Sequence, residues 1–523
     1  MKRRLSIAAL ALLPHALLSQ QPAPRWTHGA TCYEVFVRSF FDSNGDGVGD
    51  LNGLTAKLDY IKGLGVRCIW LMPVAESPSY HGYDVSNYYK VEPAYGTNDD
   101  FKHMVAAAHQ RGLKIIVDMV LNHSSDQHPY FQAALHDTTS PYRSWYIFSK
   151  TDGGKGPWGA PAWHKSPVYD EYYYGIFYSG MPDLNYNTPA VRAEGMKIAD
   201  FWTKQMGVDG FRLDAVQYLM EDGPCLKDCE GTHQYLREYG RHLHAINPNA
   251  YAVGEVWDPV DTLLTYYPDQ LTSYFTFAPS DSLLWAVKRD TVGGLLDTWL
   301  KLQSAIPDQR YGTLQRNHDE TRTLTILGGD LVGARLSATL LLTLPGEPYI
   351  YYGEELGMVG DKPDPRLRTP MQWTGATGGG FTTGTPWETL QSDTTTANVA
   401  VQDKDPGSLL NLYRTLIHLR GTNGALAEGK LVALNSGDPG VAAYLRRGRN
   451  HTAMVVVNLS TVAKTLSINS GNGAVAPGSY RSLDLMTNKK GAPFTVGKDG
   501  ALAGYAATVP ARSSLILELV RKN

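Results

Sequence analysis

At 523 residues the chain is too long for one ordinary domain, although an α/β barrel with insertions can take up most of it. A net charge of −3 argues against nucleic acid or an anionic membrane as partner. Hydrophobic content of 43% with 52 Gly fits a loop-rich globular enzyme, and 31 Tyr and 11 Trp suit an aromatic-lined cleft as well as an ordinary core.

In chain order, Lys2, Arg3 and Arg4 form a basic start, and a mostly apolar stretch runs from Leu5 to Leu18. It is too short to span a bilayer and reads as a secretory signal over residues 1–23, cleaved between 19 and 23. No later stretch reads as a membrane span, so export to the periplasm or the medium is expected. Cys225 and Cys229 lie four apart in a polar loop and are candidates for an oxidised pair. Cys32 and Cys68, at the starts of two predicted strands, read equally well as core thiols. No Cys/His cluster suggests zinc.

Apolar runs predict strands near residues 33–38, 68–72, 114–118, 210–214, 251–255, 273–277, 313–317 and 349–352. Amphipathic stretches such as 99–111 and 191–206 lie between them. This alternation predicts an α/β fold, a parallel (β/α)8 barrel. The excursion over 122–188, rich in Tyr, Trp, Gly and Pro, is too long for a plain barrel loop and reads as an inserted domain. Residues 374–397 read as a long Gly/Thr-rich loop, followed by a helix at 408–420. From Leu431 to Val520, short apolar runs such as Met454-Val455-Val456-Val457-Asn458 alternate with Gly/Asn-rich turns, an all-β pattern.

Three apolar runs end in acids: Gly210-Phe211-Arg212-Leu213-Asp214, Val253-Gly254-Glu255, and the run before Asn317-His318-Asp319. Buried parallel strands place such acids together on one barrel rim. One carboxylate as nucleophile and one carboxylic acid as proton donor are what glycoside hydrolysis needs. Any single one of these acids reads equally well as a helix N-cap.

Asp118-Met119-Val120-Leu121-Asn122-His123, Gly210 to Val216, Gly254-Glu255-Val256-Trp257 and Asn317-His318-Asp319 resemble, in order, four signature segments of the α-amylase family of glycoside hydrolases. Gly82-Tyr83-Asp84 and Met181-Pro182-Asp183-Leu184-Asn185 resemble two more, and Arg368 to Trp373 resembles a family segment on the loop after the eighth strand. The resemblance implies a signal peptide at 1–23, a barrel over 24–121 and 189–425, a domain B at 122–188 and a C-terminal β-sandwich at 426–523. It implies Asp214 as nucleophile, with Arg212 beside it holding it ionised. It implies Glu255 as general acid/base, and Asp319 as a third acid that stabilises the oxocarbenium-like transition state. His81, His123, Arg212 and His318 would bind the sugar, with Tyr83 as its stacking platform.

Oxygen side chains alternate with glycines in Asp42-Ser43-Asn44-Gly45-Asp46-Gly47-Val48-Gly49-Asp50, as in the first half of an EF-hand loop. The EF-hand's distal Glu is missing; Asp50 stands in early. A polar turn is the plain alternative, and structural calcium on Asp42, Asn44, Asp46, Val48 and Asp50 is the expectation. Asn122 and Asp183 match ligands of a different calcium site in many amylases. Where those often have Lys-His after the nucleophile segment, this chain has Gln217-Tyr218, which removes one substrate contact.

The resemblance therefore implies a retaining α-amylase that cleaves α-1,4 bonds of starch-like glucans and maltooligosaccharides, working as a monomer. An exo-acting α-glucosidase or oligo-1,6-glucosidase, and a glucosyl-transferring relative such as trehalose synthase, stand as alternatives. A non-catalytic transporter subunit is excluded by the three acids and the lack of a span. Exo-acting relatives carry Asp three residues before the platform tyrosine, where this chain has Tyr80. Endo-action in an open cleft is expected from that difference.

Overall fold

The computed structural model describes residues 24–522; the expected leader lies outside them. Eight short strands form the centre: β1 (Cys32–Val35), β2 (Cys68–Leu71), β3 (Lys114–Met119), β4 (Gly210–Leu213), β5 (Tyr251–Gly254), β6 (Ser273–Tyr274), β7 (Gly312–Leu314) and β8 (Glu347–Tyr351). They pair in parallel in the order β6-β5-β4-β3-β2-β1-β8-β7. A parallel bridge from Phe275 to Gly312 joins the two ends of this sheet, so the (β/α)8 barrel closes. The strand expected at 33–38 stops early, because Val37–Phe40 turns into a short helix. An apolar run alone does not separate those two outcomes.

Side chains alternate along each strand between the barrel interior and the surrounding helix layer. Cys32, Cys68, Trp70, Ile116, Tyr251, Val253, Phe275, Leu314 and Tyr349 make one interior cluster. Tyr33, Val35, Ile69, Leu71, Ile115 and Val117 belong to the larger core outside it. The helix Asn98–Gln110 shows how the outer layer is specified. Thr97 and Asp100 form a capping box at its start, and Phe101, Met104, Val105 and Ala108 make its buried stripe.

Both cysteine pairs are joined. Cys32 faces Cys68 across β1 and β2 and is bonded to it, and Cys225 is bonded to Cys229. The first pair was open in the sequence because lateral register in a sheet is not a local property.

Three short strands, Phe148–Ser149, Trp163–Lys165 and Tyr172–Tyr174, make a small antiparallel sheet within the excursion after β3. Beyond the barrel come β9 (Lys430–Ala433), β10 (Val441–Arg447), β11 (Thr452–Asn458), β12 (Lys464–Ile468), β13 (Gly478–Asp484), β14 (Lys490–Val496), β15 (Tyr505–Val509) and β16 (Ser513–Arg521). They form a six-stranded sheet, β9-β10-β11-β16-β13-β14, and a two-stranded one, β12-β15, over a separate apolar core. Buried Arg446 ties this module to the barrel, donating to Thr343 O at 2.6 Å and Gln309 Oε1 at 3.2 Å.

Candidate active site

Strand register builds the centre of the site. Asp118 on β3 lies opposite Arg212 on β4, which lies opposite Val253 on β5. Fully buried Arg212 reaches Asp118 at 2.8 Å and Asp214 at 2.7 Å through Nη1, and Glu255 at 2.7 Å through Nη2. One guanidinium fork thus holds carboxyl groups from three neighbouring strands. The strand ladder continues onto the rim, where Asp214 N donates to Met119 O and Glu255 N to Leu213 O, both at 3.1 Å. Ala215 then takes a φ of 47°, a left-handed conformation uncommon for a residue with a Cβ. That turn aims its N–H at Glu255 Oε2, 2.9 Å away, and the Trp257 indole donates to Oε1 at 2.8 Å.

A second chain of contacts lies beside the first. Tyr83 OH is 3.0 Å from Asp118 and 2.6 Å from His318 Nε2. His318 Nδ1 meets Glu34 at 2.5 Å, and its Nε2 is also 2.9 Å from Asp319. Arg368 closes the chain on Asp319 at 2.9 Å. Asp118 and Glu34 were not singled out from the sequence. The signal was present: each is an acid within an apolar strand run, the criterion that found Asp214.

Five acids, Glu34, Asp118, Asp214, Glu255 and Asp319, therefore face Arg212, His318 and Arg368. Burial pushes Asp214 well above the usual carboxylate range; Arg212 opposes this, but Glu255, Asp118 and Asp319 add to it. Arg212 favours the ionised form of Asp214, and its guanidinium is shared among three acids. Burial also raises Asp118, against the pull of Arg212. Burial would raise Asp319 too, yet the His318 and Arg368 cations hold it well below the usual range. Burial disfavours the His318 cation, but the charges of Asp319 and Glu34 outweigh it and raise the imidazole to about 10. Burial lowers His123 to about 3, so it is neutral at ordinary pH.

A pocket of about 480 Å³ opens over Asp214, Glu255 and Asp319. Tyr83, His81 and His123 line it as expected, with Trp158, Phe177, Tyr218 and Trp257 as further aromatic walls. Arg212 and His318 lie behind the wall, buried, with their polar atoms turned to the acids and to Tyr83. Tyr80 stacks on Trp387, with ring centroids 5.4 Å apart. An acid nevertheless reaches that end of the pocket: Asp364, from the segment after β8, lines it and sits 3.3 Å from Arg368. The position of Tyr80 alone therefore does not leave this end without a carboxylate. On the opposite side Lys227, 2.6 Å from Asp258 and beside the Tyr218 ring, brings back a lysine near the position where Gln217 replaces one.

The two sets of residues expected to bind calcium are arranged differently. In the loop from Asp42 to Asp50 the oxygens fold back on the chain. Asp42 accepts from Asn44 N, Gly45 N, Gly47 N and Thr382 Oγ1; Asn44 accepts from Asp46 N and Asp46 from Val48 N. Asp50 binds Ser43 and caps the helix Leu51–Ala56 through Gly53 N. Burial would raise Asp42, but these hydrogen bonds hold it below its usual range, so its carboxylate stays ionised. Among the described residues no group of three or more His, Cys, Asp or Glu side chains is arranged to hold a metal ion. Asn122 and Asp183, however, each keep a buried oxygen without a hydrogen-bond partner, as does Glu221. Burial and the charge of Glu221 raise Asp183, and burial raises Glu221 to about 7. An amide and two carboxyl groups with free lone pairs fit a hard cation.

Acids paired on adjacent strand ends in an aromatic pocket, at the C-terminal rim of a parallel barrel, are the layout of a glycoside hydrolase. The family model for the α-amylase catalytic domain matches residues 34–429, and the chain belongs to the α-amylase family of glycoside hydrolases. It is 40% identical to Alpha-amylase 3 of Dictyoglomus thermophilum, over 85% of this chain and 87% of that protein. It is 35% identical to Trehalose synthase/amylase TreS of Mycolicibacterium smegmatis, over 85% of this chain and 86% of that one. Among solved structures, the alpha-amylase from H. orenii superposes with a TM-score of 0.81 at 36% identity, covering 94% of this chain and 99% of that one.

Proposed function

We propose that the protein is a retaining hydrolase of α-1,4-glucosidic bonds in starch-like glucans and maltooligosaccharides. The observation that carries this is the pairing of Asp214 and Glu255 around Arg212 beneath the aromatic pocket. An Asp214 oxygen attacks the anomeric carbon while Glu255 gives its proton to the leaving oxygen, and the glycosidic bond breaks. A water then attacks the glycosyl ester, Glu255 takes its proton, and Asp214 leaves as a carboxylate. The chemistry needs a proton on Glu255 and none on Asp214. Asp319, kept ionised by His318 and Arg368, faces the positive charge that develops on the sugar. Tyr83 stacks on the ring while its hydroxyl is tied to Asp118 and His318.

Asn122, Asp183 and Glu221 would hold a structural calcium ion, which would fasten the excursion to the barrel. Two disulfides favour an exported protein, and no helix among the described residues is long and apolar enough to cross a membrane.

Asp364 favours a second reading, exo-action or glucosyl transfer, because a carboxylate beside Arg368 suits a terminal sugar hydroxyl. Maltoheptaose blocked at its non-reducing end separates the two. Cleavage into blocked and unblocked fragments supports internal hydrolysis. Complete resistance, or glucose or trehalose as first product from unblocked substrate, overturns it in favour of the second reading.

A further inference from the structure

Glu255 is held through a residue that neither sequence motif nor proposed mechanism uses. Gln217 is buried, and its amide has one orientation compatible with its neighbours. Its Oε1 accepts from Trp257 N at 2.8 Å; its Nε2 donates to Asp258 at 2.8 Å and to Asp228 at 3.0 Å. Two carboxylates demand the donor end and a backbone N–H demands the acceptor end. Trp257 in turn donates from its indole to Glu255, while its ring lies flat on Phe277 at 3.7 Å. Trp257 is 43% exposed and follows β5 on a segment without regular structure, so little else fixes its main chain.

The far side of Gln217 is fastened as well. Asp228 lies between Lys227 and Cys229, in the loop closed by the Cys225–Cys229 disulfide, and takes a φ of 56°. Its N–H returns to Gln217 O at 2.8 Å, and Tyr266 donates to its carboxylate. Lys227 neutralises Asp258 at 2.6 Å. The order of contacts is disulfide loop, Asp228, Gln217, Trp257, Glu255.

We propose that Gln217 is a positioning residue for the acid/base Glu255, acting through Trp257 and anchored by the disulfide-closed loop. The proposal rests on the reading of Glu255 given above. A misplaced general acid harms only reactions whose leaving group needs a proton. Maltoheptaose needs one, since its leaving group is a sugar alkoxide. α-Maltosyl fluoride does not, since fluoride leaves as an anion.

The test measures kcat/KM, which reports formation of the glycosyl-enzyme, on both substrates. For Gln217→Leu the expected loss is roughly ten- to a hundredfold on maltoheptaose and under about threefold on the fluoride. The Cys225→Ser/Cys229→Ser double variant should show the same split at smaller size, and takes the first variant's place if Gln217→Leu does not fold. Equal losses on both substrates, or none, overturn the proposal, the first result marking a merely structural role. Glu255→Gln is measured alongside. If it shows no split, the acid/base assignment itself falls; if it shows one and Gln217→Leu does not, only the relay falls.

Discussion

Two groups of buried acids lie near the same rim of the barrel and are balanced in opposite ways. At the rim, the acids of β3, β4 and β5 are met by Arg212, and Asp319 beside them by His318 and Arg368, all cations from within the chain. Around Asp183, the Asp183 and Glu221 carboxyl groups pair with no Lys, Arg or His among the described residues, and they and Asn122 keep unpartnered oxygens. The first group carries its own counter-ions and has a fixed geometry without help. The second needs a proton or a cation from solution. Acidic residues in a motif are thus one signal with two meanings, decided by what charge is packed against them.

The strongest way to test the first half of that contrast is to remove one reacting acid. Asp214→Asn and Glu255→Gln should each lower hydrolysis by at least about a thousandfold while leaving the fold intact. A folded Asp214→Asn protein with near-normal turnover would sink the assignment. Arg212→Met should be the most destabilising change at the rim, because it strands three acids in a buried site. The expected loss is about 3–5 kcal/mol of unfolding free energy, read from urea titration. A variant as stable as the parent would mean that shared protons balance the cluster without Arg212.

Calcium tests the other half. An ion bound only by the folded protein at a hundredfold excess over its Kd adds about 2.7 kcal/mol, so chelation should lower Tm. The Asp183→Asn/Glu221→Gln double variant should lose that dependence and Asp46→Asn should keep it. The reverse pattern would return the site to the loop at Asp42.

The smallest expected effect is on pH. His318 is raised to about 10 from an ordinary value near 6.5, so its pairing stabilises the fold fully below about 6.5 and fades as pH rises through about 10. His318→Gln should therefore flatten the decline of Tm between those limits. Parallel curves for parent and variant would show that His318 is neutral in the folded protein.

Much of this was legible in the strand ends. The apolar runs before Asp214 and Glu255 placed both acids on one rim, and strand order followed from the alternation of strand and helix. Glu34 was readable by the same rule and was passed over because no motif surrounds it. The loop from Asp42 to Asp50 was readable as a cluster of oxygens but not in its hydrogen bonds. Its spacing states which oxygens are near one another, but it does not state that the loop's own N–H groups and Thr382 will use them.

By itself, then, the chain determined the barrel, the excursion, the all-β module and the three acids, because periodicity and strand-end position are local properties. Only the tertiary structure decided that Arg212 is shared, that Cys32 meets Cys68, that Asp364 comes to the end of the pocket left by Tyr80, and that Gln217 stands behind Glu255. Each joins side chains from separate elements, and their pairing energies depend on burial and register that exist only once the barrel has closed.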